Sequence, residues 1–201
     1  IYVWYGDDSL IRHYYPAMRK YLDYLTSRAE DGIVAYGLGD WFDLGPKTPG
    51  GAQLTANGVS ATAMYYYDIC IMEKMARLLG LEDDVAGLGK LASNVKDAFN
   101  RKFWDPVTRK YERDSQTANA MALFMELVTD ENRQTVLDNL ISDIRSRGNA
   151  ITAGDIGHRY VIQALHSAGR DDVIYDIESR KDVPGYGWML EKGATASTES
   201  W

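Results

Sequence analysis

The spacing of apolar residues restricts the fold of this chain more than any other feature of its sequence. Between positions 8 and 29, apolar side chains recur every three or four residues, the spacing of one buried stripe on an α-helix. Because Pro16 lacks a backbone N–H, we expect a short turn before it and a helix that begins near it. We expect this helix to end at Gly32. The stripe consists of Leu10, Ile11, Tyr14, Tyr15, Met18, Tyr21, Leu22 and Leu25.

The same periodicity continues along most of the 201 residues. A second helix is predicted from about Asn57 to Leu79, because Gly80 is a suitable C-terminal cap. The segment Lys110-Tyr111-Glu112 is a candidate short strand. Further helices are predicted from about Asp83 to Phe99, before the helix-breaking run Trp104-Asp105-Pro106, and at Thr117–Leu127, Asp130–Arg147, Gly157–Ala168 and Asp171–Ile177.

These helices are joined by short connections, and no Pro/Gly/Ser-rich linker separates two domains. We therefore expect residues 1–201 to form a single all-α domain. Glycine-rich loops at 36–41, 152–157 and 184–188 fall between alternate pairs of helices. About six or seven helices favour an (α/α)6 toroid, or a partial toroid of helical hairpins, over a four-helix bundle, and a curved helical stack stays open as an alternative.

Composition excludes several classes of function. The chain has 22 Lys and Arg against 29 Asp and Glu, so we expect neither a nucleic-acid partner nor attraction to anionic lipid. Cys70 is the single cysteine, which rules out a disulfide framework and a cysteine-based metal cluster. No apolar stretch approaches the ~20 residues that span a bilayer, so we expect no membrane insertion.

The sequence predicts no metal site and no cofactor. Its three histidines, His13, His158 and His166, are not spaced as metal ligands, and there is no phosphate-binding loop, nucleophile elbow or EF-hand loop. His13 and His166 fall within predicted helices, where a structural role is expected. His158 follows a glycine-rich loop, so it is a candidate to reach a cleft, with a structural role as the alternative.

Aromatic and acidic residues meet in the loops between helices. The chain contains 14 Tyr and 5 Trp but 4 Phe, and indoles in loops suit stacking on the apolar face of a sugar ring. Neighbouring carboxylates suit hydroxyl recognition or acid–base catalysis. Each residue taken alone is better explained as a cap of a helix or turn, or as a plug at a hairpin end. Together they favour a carbohydrate cleft, and they form four groups: Asp40, Trp41 and Asp43; Trp104 and Asp105; Tyr186, Trp188 and Glu191; Glu199 and Trp201.

An ordered series of motifs resembles the bacterial α-L-rhamnosidases of glycoside hydrolase family 78. The segment Tyr36-Gly-Leu-Gly-Asp-Trp41 resembles the family's Gly-Leu-Gly-Asp-Trp sequence, and Gly193-Ala194-Thr195-x-x-x-Glu199-x-Trp201 resembles its Gly-Ala-Thr-Thr-x-Trp-Glu-x-Trp sequence. Between and before these two lie further matches in the family's order: Tyr5-Gly6-Asp7 with Tyr15-Pro16-Ala-Met18, Val95-Lys96-Asp-Ala-Phe99-Asn100 with Phe103 and Trp104, Gln116-Thr117 with Ala120 and Ala122-Leu123, and Thr152-Ala-Gly154 with Gly157.

This resemblance implies an (α/α)6 toroid and hydrolysis of terminal rhamnose with inversion at the anomeric carbon. It assigns the general base to Glu199 and substrate binding to Asp40, Trp41 and Trp104. The Trp41 indole would line the rhamnose pocket with Asp40 beside it, and Trp104 would form a further wall. The partner would be a rhamnose-containing glycan or glycoside, and no cofactor is implied. By resemblance alone, a periplasmic or extracellular location is favoured over the cytoplasm.

The chain departs from the family in two places. The family's general acid is a Glu in an Asp-Glu-Arg-x-Gly-Trp segment, which is absent here. Before the base, bulkier family residues are replaced by the run Ala196-Ser197-Thr198, which changes the expected pocket floor. A closed six-hairpin toroid also has twelve helices, so we expect a fragment of a larger catalytic domain that is barely active or inactive on its own.

Two other classes of function stay open at this point. The chain is also compatible with a non-catalytic carbohydrate-binding helical module that stacks sugars on Trp41, Trp104 and Trp188. It could instead be a helical scaffold that binds a protein partner. A further alternative, closer to the first hypothesis, is a different (α/α)6 glycosidase, which only a test of substrate specificity would distinguish from a rhamnosidase.

Overall fold

The protein is described by a computed structural model of residues 1–198. About 61% of the described residues are helical, so the prediction of an all-α fold is confirmed. The elements in chain order are α1 (Tyr2–Tyr5), α2 (Ser9–Arg28), α3 (Asn57–Leu79), α4 (Glu82–Phe103), β1 (Trp104–Asp105), β2 (Lys110–Tyr111), α5 (Gln116–Phe124), α6 (Asp130–Ser146), α7 (Gly157–Ser167), α8 (Asp171–Glu178) and α9 (Tyr186–Glu191).

The prediction that a helix begins near Pro16 is wrong, because α2 runs through Pro16 without a break and ends at Arg28. A proline inside a helix removes one backbone hydrogen bond, and side-chain contacts on both sides of it hold α2 in place. The Tyr15 hydroxyl donates to Asp84 Oδ2 at 2.7 Å, and Arg19 Nη1 donates to Asp84 Oδ1 at 3.0 Å. These bonds tie α2 to the first turn of α4 on either side of the proline.

The short strand predicted at 110–112 is confirmed as β2, which pairs with β1 in an antiparallel hairpin and places Trp104 opposite Tyr111. Helix α9 differs from the prediction, since Gly187 in its first turn lowers helix propensity and Gly185 lies directly before it. The packing explains Gly187. A Cβ there would lie 2.5 Å from the carbonyl oxygen of Arg180 and 2.6 Å from that of Glu178, so only glycine lets α9 approach the end of α8.

Helices α3, α5 and α7 form a central layer. They contact one another in that order, and each packs against the helix that follows it. Every residue of α5 from Gln116 to Leu123 is buried. Helices α6 and α8 bury one stripe each, consisting of Val136, Leu140 and Ile144 in α6 and of Val173 and Ile177 in α8.

The starts of α3, α5 and α7 lie at one end of this layer. The Thr55 hydroxyl, just before α3, is 2.6 Å from the hydroxyl of Ser115, the residue that caps α5. Each helix pair reverses direction, so the long connections gather at this end and short turns occupy the opposite end. We call this face, formed by residues 29–56, 104–115, 147–156 and 179–185, the loop end.

Candidate active site

Asp40 lies at the centre of the loop end and is completely buried, with 0% of its surface exposed. Its Oδ2 accepts hydrogen bonds from the Thr117 hydroxyl at 2.5 Å and from the Gly154 amide at 3.0 Å. Its Oδ1 accepts one from the Gly157 amide at 2.8 Å. One carboxylate therefore joins the 36–41 loop to the start of α5 and to the 152–157 loop.

Two opposing effects act on the pKa of Asp40. Burial raises it above its ordinary value, and the hydrogen bonds from Thr117, Gly154 and Gly157 act in the opposite direction. All three partners donate hydrogen bonds to Asp40, and an ionised carboxylate, which only accepts hydrogen bonds, can satisfy all three donors. Thr117 and Gly157 also lie at the starts of α5 and α7, where a helix dipole favours negative charge.

The two glycines around Asp40 are required by close packing. A Cβ on Gly154 would overlap the carbonyl oxygen of Trp41, and a Cβ on Gly157 would overlap the Thr117 hydroxyl. The Trp41 carbonyl also accepts a hydrogen bond from the Asp155 amide at 2.8 Å. The glycine pattern of the 152–157 loop thus lets its backbone lie directly against the loop that carries Trp41.

Asp43 organises the rest of the same loop and is 1% exposed. Its carboxylate accepts hydrogen bonds from the Gln53 amide at 2.8 Å and from the Leu54 amide at 2.6 Å. The next residue, Leu44, donates its amide to the Thr152 carbonyl at 3.0 Å. Both carboxylates of the predicted Asp40–Asp43 group therefore bind backbone amides and hold the loop in shape.

Gln116 belongs to the Gln116-Thr117 motif that resembles the family, but the sequence predicts no role for it. It is completely buried, accepts a hydrogen bond from the Thr152 amide at 2.8 Å and donates to Asp143 Oδ2 at 2.9 Å. Thr117, the next residue, bonds Asp40. The sequence signal for this pair is two polar residues at the start of a largely apolar helix, directly after the cap Ser115.

The two candidate sugar-binding indoles both lie at the loop end, on different segments. Trp41 is half-buried, and its ring meets Phe42 edge to face with centroids 5.4 Å apart. Trp104 is half-buried at the start of β1, and its ring centroid is 4.9 Å from that of Tyr111. Tyr111 is itself fixed by a 2.6 Å hydrogen bond from its hydroxyl to Asn100 Oδ1.

Other members of the predicted aromatic–acidic groups have local roles. Asp105 accepts hydrogen bonds from the Val107 amide and the Thr108 hydroxyl, which shape the turn of the β-hairpin. Glu191 pairs with Lys181 at 3.2 Å on the surface. Trp188 is half-buried, with the ammonium of Lys192 5.9 Å from its ring centre.

Glu199, the expected general base, and Trp201 lie outside the described residues 1–198. The described part ends with two contacts to Met189 of α9. The Ala194 amide donates to the Met189 carbonyl at 3.0 Å, and the Thr198 hydroxyl lies 3.6 Å from its sulfur. Within the described residues, no group of three His, Cys, Asp or Glu is arranged to hold a metal ion, and no helix is long and apolar enough to cross a bilayer.

Comparison with known proteins identifies a family over the whole chain. The family model of the bacterial alpha-L-rhamnosidase six-hairpin glycosidase domain matches residues 1–201. An alpha-L-rhamnosidase of Formosa agariphila is 31% identical over 98% of this chain and 21% of its own length. One from Streptomyces avermitilis is 28% identical over 100% of this chain and 19% of its own length. The chain thus spans about a fifth of the curated relatives that it matches.

Solved structures give the same fold. The alpha-L-rhamnosidase of Dictyoglumus thermophilum superposes with a TM-score of 0.88 at 34% identity, over 96% of this chain and 22% of that one. The Streptomyces avermitilis enzyme, determined in complex with L-rhamnose, superposes with a TM-score of 0.88 at 27% identity, over 100% of this chain and 19% of that one. The prediction of an α/α toroid architecture is therefore confirmed.

Proposed function

The chain belongs to the bacterial alpha-L-rhamnosidase six-hairpin glycosidase family. On this basis we propose that the full natural polypeptide is a glycoside hydrolase that releases terminal rhamnose. The substrate would be a rhamnose-containing glycoside or polysaccharide. Residues 1–201 would form part of a larger six-hairpin catalytic domain, supplying the general base and one part of the sugar pocket.

The observation that carries this proposal is the buried bond network of Asp40. It holds the loop of Trp41 against the starts of α5 and α7 through Thr117 and Gly157. A rigidly held loop with a partly exposed indole suits the stacking of a sugar ring, since little side-chain freedom is lost on binding. The L-rhamnose complex of a relative with the same fold supports the same ligand class.

Asp40 would act on the sugar through Trp41 and not by direct contact. All of its surface is buried, and its two oxygens already accept hydrogen bonds from three protein donors. A direct bond to a sugar hydroxyl would require one of these three to open. Trp41 and Trp104, which keep part of their surface exposed, would form walls of the pocket.

In the proposed reaction, the Glu199 carboxylate takes a proton from a water molecule as that water attacks the anomeric carbon. The glycosidic bond breaks, the configuration inverts, and a protonated acid donates its proton to the leaving oxygen. The two carboxyl groups of an inverting enzyme stand about 6.5–9.5 Å apart, which leaves room for the water. The resemblance implies that the acid would belong to a segment outside these 201 residues, because the family's Asp-Glu-Arg-x-Gly-Trp motif is absent here. Asp40 and Asp43 already accept hydrogen bonds from backbone amides, which suits a structural role for both.

The test is hydrolysis of 4-nitrophenyl α-L-rhamnoside by the full natural polypeptide, followed by proton NMR of the first product formed. We expect β-L-rhamnose to appear before mutarotation, as inversion requires. Retention would overturn the inverting mechanism, and failure to cleave any rhamnoside would overturn the proposed activity. The 201-residue chain alone should hydrolyse the same substrate barely or not at all.

A further inference from the structure

We propose that His158 and Glu178 are positioning residues that fix the start of α9, and with it the segment 194–198 that leads to Glu199. The inference rests on the proposed function, in which Glu199 is the base. It concerns two side chains to which neither the resemblance nor the comparisons assign a role.

The two side chains form a shielded pair. His158 Nε2 and Glu178 Oε1 are 3.0 Å apart, and the side chains are 12% and 20% exposed. The second carboxylate oxygen, Oε2, accepts a hydrogen bond from the Tyr186 amide at 3.3 Å. The rings of His158 and Tyr186 also meet edge to face, with centroids 5.6 Å apart. Glu178 thus contacts both α7 and the first residue of α9.

The backbone around this pair is closely interlocked. Glu178 is the last residue of α8, and its carbonyl oxygen leaves no room for a Cβ on Gly187 in the first turn of α9. Helix α9 has six residues, a length that does not hold a helical conformation in water without tertiary contacts. The contacts from α7 and α8 are therefore needed to define where α9 begins.

The pair also links α9 to the Asp40 network. His158 follows Gly157, whose amide binds Asp40, and its own amide donates to the Gly154 carbonyl at 2.9 Å. A short chain of bonds therefore runs from Asp40 through the start of α7 to Glu178 and α9. Beyond α9, the Ala194 amide is bonded to the Met189 carbonyl, so a displacement of α9 would carry the following segment with it.

The same helix provides a matched control. His166, in the last turn of α7, pairs with Asp171 through Nδ1 and Oδ1 at 2.8 Å. Both side chains are largely exposed, at 69% and 65%, and they lie at the end of α7 away from the loop end. Like the first pair, this one joins an imidazole of α7 to a carboxylate of α8, but Asp171 lies at the start of α8 whereas Glu178 lies at its end, next to α9. His166→Ala therefore separates positioning of α9 from a general effect on α7.

The experiment has two readouts on the full natural polypeptide. Hydrogen–deuterium exchange of peptides covering residues 186–198 is compared for the wild type, His158→Ala, Glu178→Gln and His166→Ala. Steady-state kinetics on 4-nitrophenyl α-L-rhamnoside are measured for the same proteins and for His158→Gln, whose amide N–H can still donate to Glu178.

We expect faster exchange across 186–198 in His158→Ala and Glu178→Gln, and wild-type exchange in His166→Ala. We expect kcat to fall about 10- to 100-fold in the first two variants, with KM changed much less. The reason is that a displaced base stabilises the transition state less well but leaves the binding of the ground-state substrate largely unchanged. His158→Gln should recover part of kcat. Unchanged exchange at 186–198, or a loss of kcat no larger than in His166→Ala, would overturn the inference. The exchange measurement does not depend on activity. An inactive wild type would therefore overturn the proposed function, whereas the positioning of α9 would still be tested by the exchange data.

Discussion

The carboxylate of Asp40 and the backbone amide of Gly157 lie 2.8 Å apart although 117 positions separate them in the sequence. This bond, with those from Thr117 and Gly154, makes one buried side chain the junction of three segments of the loop end. Replacing Asp40 or crowding the backbone around it should therefore disturb the whole loop end.

Asp40→Asn should destabilise the protein. An asparagine keeps the shape but presents an N–H₂ group to at least one of the three donors, so a buried amide is left without an acceptor. The expected loss is about 1–3 kcal/mol of unfolding free energy, measured by urea denaturation at neutral pH. Asp97→Asn, on an exposed position of α4, is the control and should change stability by less than about 0.5 kcal/mol. Equal effects of the two substitutions would contradict the junction role of Asp40.

Two glycine substitutions should change stability in opposite directions. In Gly157→Ala the new methyl group would overlap the Thr117 hydroxyl and crowd Asp40, and we expect a loss of about 1–3 kcal/mol. Gly87 lies inside α4 with open space around the position of a Cβ, so Gly87→Ala should stabilise by about 0.5–1 kcal/mol through helix propensity. Thermal unfolding of both variants checks the pair, and a Gly157→Ala protein at least as stable as the wild type would refute the close packing.

Trp41→Ala should lower kcat/KM for aryl rhamnosides about tenfold, because stacking of an aromatic ring contributes on the order of 1 kcal/mol beyond the apolar area that it buries. Trp104→Phe is the matching change at the second indole, since phenylalanine keeps the packing against Tyr111. Trp4, an exposed indole in α1, provides the control Trp4→Ala, which should leave the kinetics unchanged. Unaltered kinetics in Trp41→Ala would remove this residue from the sugar pocket.

Glu199→Gln in the full natural polypeptide should lower kcat by about 10²- to 10⁴-fold, the typical contribution of a general base. Rhamnose binding should be largely retained, because the isosteric amide keeps the shape of the site but cannot accept the proton of the attacking water. Isothermal titration with rhamnose and steady-state kinetics measure the two effects. Glu131→Gln, an exposed change in the first turn of α6, is the control, and normal turnover in Glu199→Gln would assign the base elsewhere.

Helix positions were predictable because they depend on neighbours three and four residues away. Helix α3 and the left-handed glycine that ends it, Gly80 with φ 71°, can be predicted from adjacent residues. The exception at Pro16 has a tertiary cause, since Asp84 holds α2 from α4 on both sides of the proline. Helix α9 was missed for the same kind of reason, because its conformation depends on contacts with α7 and α8.

The candidate site shows the same division between local and long-range contacts. The amino-acid sequence is sufficient to predict an all-α fold, glycine-rich loops that alternate with helical hairpins, and the place of Asp40 and Trp41 in one such loop. Helix packing is needed to bury Asp40 against Thr117, Gly154 and Gly157, and to join His158 to the start of α9 through Glu178. The difference arises from distance along the chain. Periodicity and capping act within one or two helical turns, whereas the partners of Asp40 come from 77 to 117 residues away and meet it only after α5 and α7 have packed side by side.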